Sequence, residues 1–148
     1  MPQSLSCVLV HAVFSTKNRH AFLADAGIRS EVLAYIGGVS KRLGCPPVAI
    51  GGADDHVHAL VYLSRTLCLA DWIKEVKRVS SAFGKRRAPG FAWQAGYGAF
   101  SVDPTSLDRV AAYVRGQAEH HRKVSFQEEF RRLLQEHGME WDERYVWD

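Results

Sequence analysis

Cysteine is scarce in this chain. The three thiols, Cys7, Cys45 and Cys68, are scattered and odd in number. That excludes a disulfide framework and a cysteine-based zinc site, and it fits a reducing compartment. Long apolar runs are missing too: nothing approaches the roughly 18 residues that a membrane span needs. The opening stretch, MPQSLSCVLVHAVFSTKNR, has neither the basic leader nor the small-residue cleavage site of a secretory signal. A cytoplasmic protein with no membrane partner is expected. Repeats and low-complexity linkers are likewise absent. What remains is 148 residues, 47% hydrophobic and 24% charged. This is the make-up of one globular domain over 1–148, with 125–148 read as a C-terminal acidic helix and tail.

Net charge is only +3, but it is unevenly placed. Between Arg65 and Pro89 there are seven basic and two acidic residues; from Ser125 to Asp148 there are three basic and seven acidic. A basic middle beside an acidic tail points either to a polyanionic partner or to two solvated helix faces.

Periodicity gives the element order. Leu5–Thr16 is rich in Val, Leu and Phe and reads as a strand. Residues Ile28–Leu43 have helical spacing and stop at Gly44. Pro47–Gly52 and His56–Ser64 read as strands joined by a turn at Gly51-Gly52-Ala53-Asp54. Ala70–Phe83 is helical, with Trp72, Ile73, Val76, Val79 and Phe83 on one stripe, and a basic loop follows at Lys85–Gly90. Phe91–Val102 reads as irregular strand, Leu107 to about His121 as a helix capped by Ser106, and a last helix is capped by Ser125. The order β-α-β-β-α-β-α-α suits an α+β fold, an antiparallel sheet with helices packed on it.

GGADDHVHALVYL, residues 51–63, carries the chemistry. Alternate residues of a strand share a face, so His56 and His58 point the same way while Val57, Ala59 and Val61 pack on the other. Such a pair is either a two-ligand metal platform or a pair of satisfied core histidines. A third group is sought on the later helix, where Tyr113 and Gln117 are i, i+4 neighbours beside His120 and His121. Gly116 in the same turn suggests a close approach there. His11, mid-strand in VLVHAVF, reads as a core histidine.

DDHVH followed by YVRGQAEHH resembles the HUH single-tyrosine transposases of the smallest bacterial insertion sequences, including their domesticated relatives associated with repetitive extragenic palindromes. VFSTKNRH, WQAGYGAFSV and SFQEEFRRLLQEHGMEWDERYVW extend the likeness over nearly the whole chain. The resemblance implies a ferredoxin-like core, and a homodimer whose sheets join. It implies a partner in single-stranded DNA carrying a hairpin, cut beside that hairpin. It also implies His56, His58 and Gln117 as metal ligands and Tyr113 as the nucleophile. A mixed nitrogen–oxygen ligand set does not by itself choose a metal; the resemblance favours Mg²⁺ or Mn²⁺. Lys17 and Arg19, with Lys74, Lys77, Arg78, Lys85, Arg86 and Arg87, are candidate phosphate contacts. Phe91, Trp93, Tyr97 and Phe100 would either stack on unpaired bases or pack in the core. No base stands next to Tyr113 in sequence, leaving a bound water, His120 or His121 for that role. A hairpin-binding protein that no longer transposes, or a small-molecule metallohydrolase using Asp54 or Asp55, are the alternatives.

Overall fold

The computed structural model describes residues 2–148. Nine elements carry the fold: β1 (Leu9–Ser15), α1 (Ala26–Arg42), β2 (Pro47–Gly52), β3 (His56–Tyr62), α2 (Leu69–Arg87), β4 (Gly98–Val102), α3 (Leu107–Arg115), α4 (Gln117–His120) and α5 (Phe126–Glu136). The strands form one sheet in the order β2-β3-β1-β4, and every neighbouring pair is antiparallel. This is the ferredoxin-like arrangement.

Helices cover both faces, which explains why β1 alternates so weakly in hydrophobicity. Val10, Ala12 and Phe14 meet Val32, Ile36 and Val39 of α1 and Trp72, Ile73 and Val76 of α2 on one face. The other face carries two smaller clusters. Val13 and Phe100 pack against Phe126, Phe130, Leu133 and Leu134 of α5, and Ala49 and Leu60 pack against Ala111 and Val114 of α3. The second face holds the histidines.

Several boundaries move. α2 runs on through Lys85, Arg86 and Arg87, so these residues form the last turn of a helix and not a loop. Cations there oppose the negative end of the helix dipole, and the chain leaves only at Ala88, before Pro89. The expected long tyrosine helix is two pieces broken at Gly116, which ends α3 and precedes α4. Ser106 makes no capping bond; Asp103 accepts from Thr105 N one short turn earlier. Ser125 does cap α5, accepting from Glu128 N at 3.2 Å. The close approach expected at Gly116 occurs at Gly51 instead. A Cβ added to Gly51 would collide with the Val114 carbonyl, so glycine lets α3 lie directly on β2. Among the described residues, no helix is long and apolar enough to cross a membrane.

Candidate metal and tyrosine site

β3 sets the first two side chains. His56 and His58 share the face turned toward α3–α5, and both are fully buried. Their outer nitrogens are already occupied. His56 Nδ1 donates to Asp55 Oδ1 at 2.8 Å, because a carboxylate can only accept. His58 Nδ1 lies 2.7 Å from Nε2 of His11, its neighbour on β1. His11 is therefore the buried, satisfied histidine its sequence position suggests, and it also fixes the ring of His58. Both Nε2 atoms are left pointing at a common centre.

α3 brings Tyr113 to this centre and α4 brings Gln117. Gln117 is fully buried; its Oε1 lies 3.1 Å from His56 Nε2, and its Nε2 donates to the Tyr113 carbonyl at 3.3 Å. Tyr113 is partly exposed, its ring 5.7 Å from that of His58. The structure thus gathers all four residues that the resemblance singled out.

It also gathers a fifth that sequence reasoning passed over. Glu129 of α5 is fully buried, with Oε1 2.9 Å from His58 Nε2, 3.0 Å from His121 Nε2 and 3.5 Å from His56 Nε2. The other carboxylate oxygen accepts the Tyr113 hydroxyl and lies 3.4 Å from His120 Nε2. A signal existed in FQEEF: Phe126, Glu129, Phe130 and Leu133 recur at helical spacing, so an acid occupies the apolar stripe. His120 and His121, the candidate bases, approach Tyr113 through this carboxylate.

The electrostatics follow from burial and these contacts. Burial, then the neighbouring His58, lowers His11 to about 3. Burial lowers His58 to about 4, against the pull of Glu129. Burial also works against charge on His56, but hydrogen bonds to Asp55 and Glu129 outweigh it and raise this group to about 9. Burial and then the Glu129 charge push the Tyr113 phenol above its ordinary value. Burial alone would raise the Glu129 carboxyl, yet the surrounding imidazoles of His121, His56 and His58 hold it far below the usual range.

His56, His58, His121 and Glu129 could hold a metal, for each offers a ligand atom and all four atoms lie within 4.8 Å of one another. The donor chemistry fits an ion. His121 Nε2 is buried without a hydrogen-bond partner, because the nearby Glu129 oxygen sits off its bonding direction. A cleft of about 430 Å³ leads to Tyr113, walled by His11, Phe100, Arg109, Arg132 and His137.

The basic residues fall into three groups. Lys17 and Arg19 lie in a short turn just past β1, at the end of the sheet where Ser15 pairs with His56. Asn18 and Arg19 are both left-handed (φ 55° each), a strained backbone held by Thr16, whose hydroxyl donates to the His20 carbonyl at 2.6 Å. Lys74, Lys85 and Arg86 are exposed on α2, across the sheet from the site, while Arg78 pairs with Glu75 and Arg87 with Glu31. Lys77 stands apart as a correction to the expected phosphate-tracking face. Its ammonium donates to the carbonyls of Gln94 (2.8 Å), Ala95 (3.3 Å) and Gly96 (2.7 Å) and lies over the Phe14 ring. Of the four aromatics weighed for stacking, Phe91, Trp93 and Phe100 are core, and Tyr97 is exposed.

Comparison with known proteins places this geometry. Residues 4–117 match the family described as transposase, IS200 like. A crystal structure of a candidate transposase from Deinococcus radiodurans R1 is similar, with a TM-score of 0.64 and 20% identity over 80% of this chain and 96% of that one. The structure of a REP-associated tyrosine transposase bound to a REP hairpin is similar at a TM-score of 0.57 and 13% identity, over 77% of this chain and 68% of that one. At such identities these structures show the shared fold. A comparison with curated protein sequences gave no significant match. The family match spans most of the chain, from β1 to the first residue of α4, and takes in His56, His58, Tyr113 and Gln117: the chain belongs to the IS200-like transposases.

Proposed function

We propose that this transposase cuts single-stranded DNA beside a hairpin by metal-dependent transesterification, with Tyr113 as the nucleophile. The observation that carries the reading is the meeting of the Tyr113 hydroxyl with the Glu129 carboxylate, beside two β3 histidines whose Nε2 atoms face the same point. A bound divalent ion would supply Lewis-acid polarisation of the scissile phosphate. His56 and His58 would hold it, with the Gln117 amide oxygen alongside. Neutral imidazoles leave such a site its positive charge for an anionic substrate.

In the forward step the Tyr113 oxygen attacks phosphorus and the bond to the 3′-oxygen breaks. The phenol proton leaves along the existing hydrogen bond to Glu129, which passes it on to solvent, and the departing 3′-oxygen takes up a proton from solvent to become a free 3′-OH. A 5′-phosphotyrosine keeps the bond energy, so a second 3′-OH can attack it, expel Tyr113 and join strands. The raised phenol supports a Tyr113 that stays neutral until attack, losing its proton as the bond to phosphorus forms. Lys17 and Arg19 would guide the single strand near His56, and Lys74, Lys85 and Arg86 would hold the hairpin backbone on the opposite face. A second copy would extend the sheet at one of its edges, β2 or β4.

The test is covalent capture. Labelled single-stranded DNA carrying a hairpin and its flanks, taken from palindromes around the gene, is mixed with protein and Mn²⁺ and run on a denaturing gel. The label is expected to migrate with the protein, and to stop doing so in Tyr113→Phe while hairpin binding persists. Tight hairpin binding with no adduct in the native protein would instead favour a binding protein that has lost transposition.

A further inference from the structure

Glu129 and His121 both lie beyond the segment that matches the family, which ends at Gln117. We propose that the ion of this protein is held in a four-ligand cage of His56, His58, His121 and Glu129, built for a tetrahedral transition ion such as Zn²⁺ or Co²⁺ in preference to Mg²⁺. The inference rests on the metal reading above but assigns the ligands differently and can fail separately; in a cage filled by protein, a phosphate would join as a fifth ligand.

Three observations carry it. First, Glu129 Oε1 stands 2.9, 3.0 and 3.5 Å from the Nε2 atoms of His58, His121 and His56. In a tetrahedral site with bonds of about 2.0–2.1 Å, neighbouring ligand atoms are about 3.3 Å apart. Those three distances lie near the edge length of such a tetrahedron with the carboxylate oxygen at one vertex, and all four candidate ligand atoms fall within 4.8 Å of one another. Second, the cage is oversubscribed as a hydrogen-bond network. One oxygen faces three imidazoles, and His121 Nε2, on a side chain only 8% exposed, is left without a partner. An unpaired buried nitrogen is costly, and a cation at the centre would take the lone pair of His121 Nε2 together with those of His56 and His58. Third, the outer nitrogens of His56 and His58 are already bonded, to Asp55 and His11, the pattern by which ligating imidazoles are oriented.

Three imidazoles and a single carboxylate suit Zn²⁺ and Co²⁺, accept Mn²⁺, and give poor purchase to Mg²⁺, which prefers six oxygens. Glu129 then has two duties on two atoms: Oε1 binds the ion and the other oxygen accepts from Tyr113. Gln117 becomes a positioning residue: its amide gives up the contact with His56 Nε2 to the ion and ties α4 to the Tyr113 carbonyl.

The test is metal binding by the full chain, without DNA. Protein stripped with chelator is loaded with Zn²⁺ or Co²⁺ and dialysed, and bound metal is counted. The native protein is expected to keep one ion per chain against a large excess of Mg²⁺, and its Co²⁺ form to show the intense visible bands of four-coordination. Glu129→Gln and His121→Ala are each expected to weaken binding about a hundredfold or more, and Gln117→Ala by less. Circular dichroism of the stripped variants checks folding; should Glu129→Gln not fold, His121→Ala at the rim of the cage carries the test. Native protein that retains no ion, a weak six-coordinate Co²⁺ spectrum, native affinity in both variants, or a greater loss in Gln117→Ala would each overturn the cage. Tyr113→Phe separates the two proposals: it is expected to bind metal normally, so a native protein that holds its ion yet forms no DNA adduct defeats the strand-transfer reading alone.

Discussion

Gly51→Ala tests how Tyr113, the proposed nucleophile, is positioned. Gly51 lies on β2, opposite His58 of β3, and its Cα faces the backbone of Val114, the residue after Tyr113. An added methyl group would sit 2.8 Å from the Val114 carbonyl carbon, and nearer still to its oxygen. Real Cβ atoms essentially never come within 3.0 Å of another heavy atom, and here the obstacle is backbone that cannot rotate away. α3 would have to withdraw by about 1 Å, since packed interiors leave no slack. Overpacking of this kind costs about 1–3 kcal/mol. The effect on chemistry should be larger: a shift of that size at a reacting group costs about a hundredfold in rate. Gly38→Ala is the matched control. It lies on α1 with nothing within 4 Å of its new methyl group, so the same substitution should stabilise by about 1 kcal/mol. Urea unfolding reads the first quantity, and the rate of covalent adduct formation the second. If Gly51→Ala is as stable as the native protein and forms adduct at the native rate, α3 does not seat on β2 as described and the glycine does not set the tyrosine.

The metal-free protein should lose stability in acid well above the ordinary carboxylate range. His11 and His58 fall to about 3 and about 4 on folding, so their contribution is full above the unfolded value of 6.5 and disappears as pH drops toward 4. His56, raised to about 9, works the other way, with its contribution complete below 6.5 and lost as pH rises through 9. Of these three histidines only the first pair changes between pH 6.5 and 4, and alone it gives a slope of up to about 2.7 kcal/mol per pH unit. A melting temperature that stays flat from pH 7 to 5 in chelator would refute the buried neutral pair. Lys77→Met should cost about 2 kcal/mol, measured by urea unfolding, because three carbonyls of the 94–96 loop lose their donor while the methionine still covers Phe14. Loss of DNA affinity with native stability would show that Lys77 touches phosphate after all. Replacing Lys74, Lys85 and Arg86 together by Ala should flatten the salt dependence of hairpin binding by about two to three units of log–log slope. An unchanged slope would clear α2 from the DNA path.

The fold and half of the site were legible because they rest on local pattern. The alternation of β3 predicts which face His56 and His58 share, and the i, i+4 spacing of Tyr113 and Gln117 predicts that one helical turn carries both. Boundaries failed where a competing preference won. Cations in the last turn carry α2 past Phe83, and Gly116 splits the expected tyrosine helix. Lys77 looked solvent-facing by helical phase, yet a long side chain can turn back beneath a loop that no local rule locates.

Glu129 was the largest omission, and its cause is instructive. An acid in an apolar stripe breaks the amphipathic pattern of its helix and weakens the packing there. The break makes sense only in three dimensions, where α5 crosses the sheet over the ends of His56 and His58. Phe126 stacks on His56 at 4.7 Å and Phe130 on Phe126 at 5.4 Å, so the aromatic residues flanking Glu129 both seat the helix and seal the carboxylate from water. Burying a charge is tolerable only where opposite charge or strong donors meet it. α5 therefore holds Glu129 at the one point of the sheet where three imidazoles converge. The same placement closes the histidines from solvent. Under the proposed reaction, a phosphate would reach Tyr113 through the cleft that Arg109 and Arg132 help to line. In that reading, strand entry and attack by Tyr113 would share one direction, with His56 and His58 behind the phenol and the two arginines in front of it.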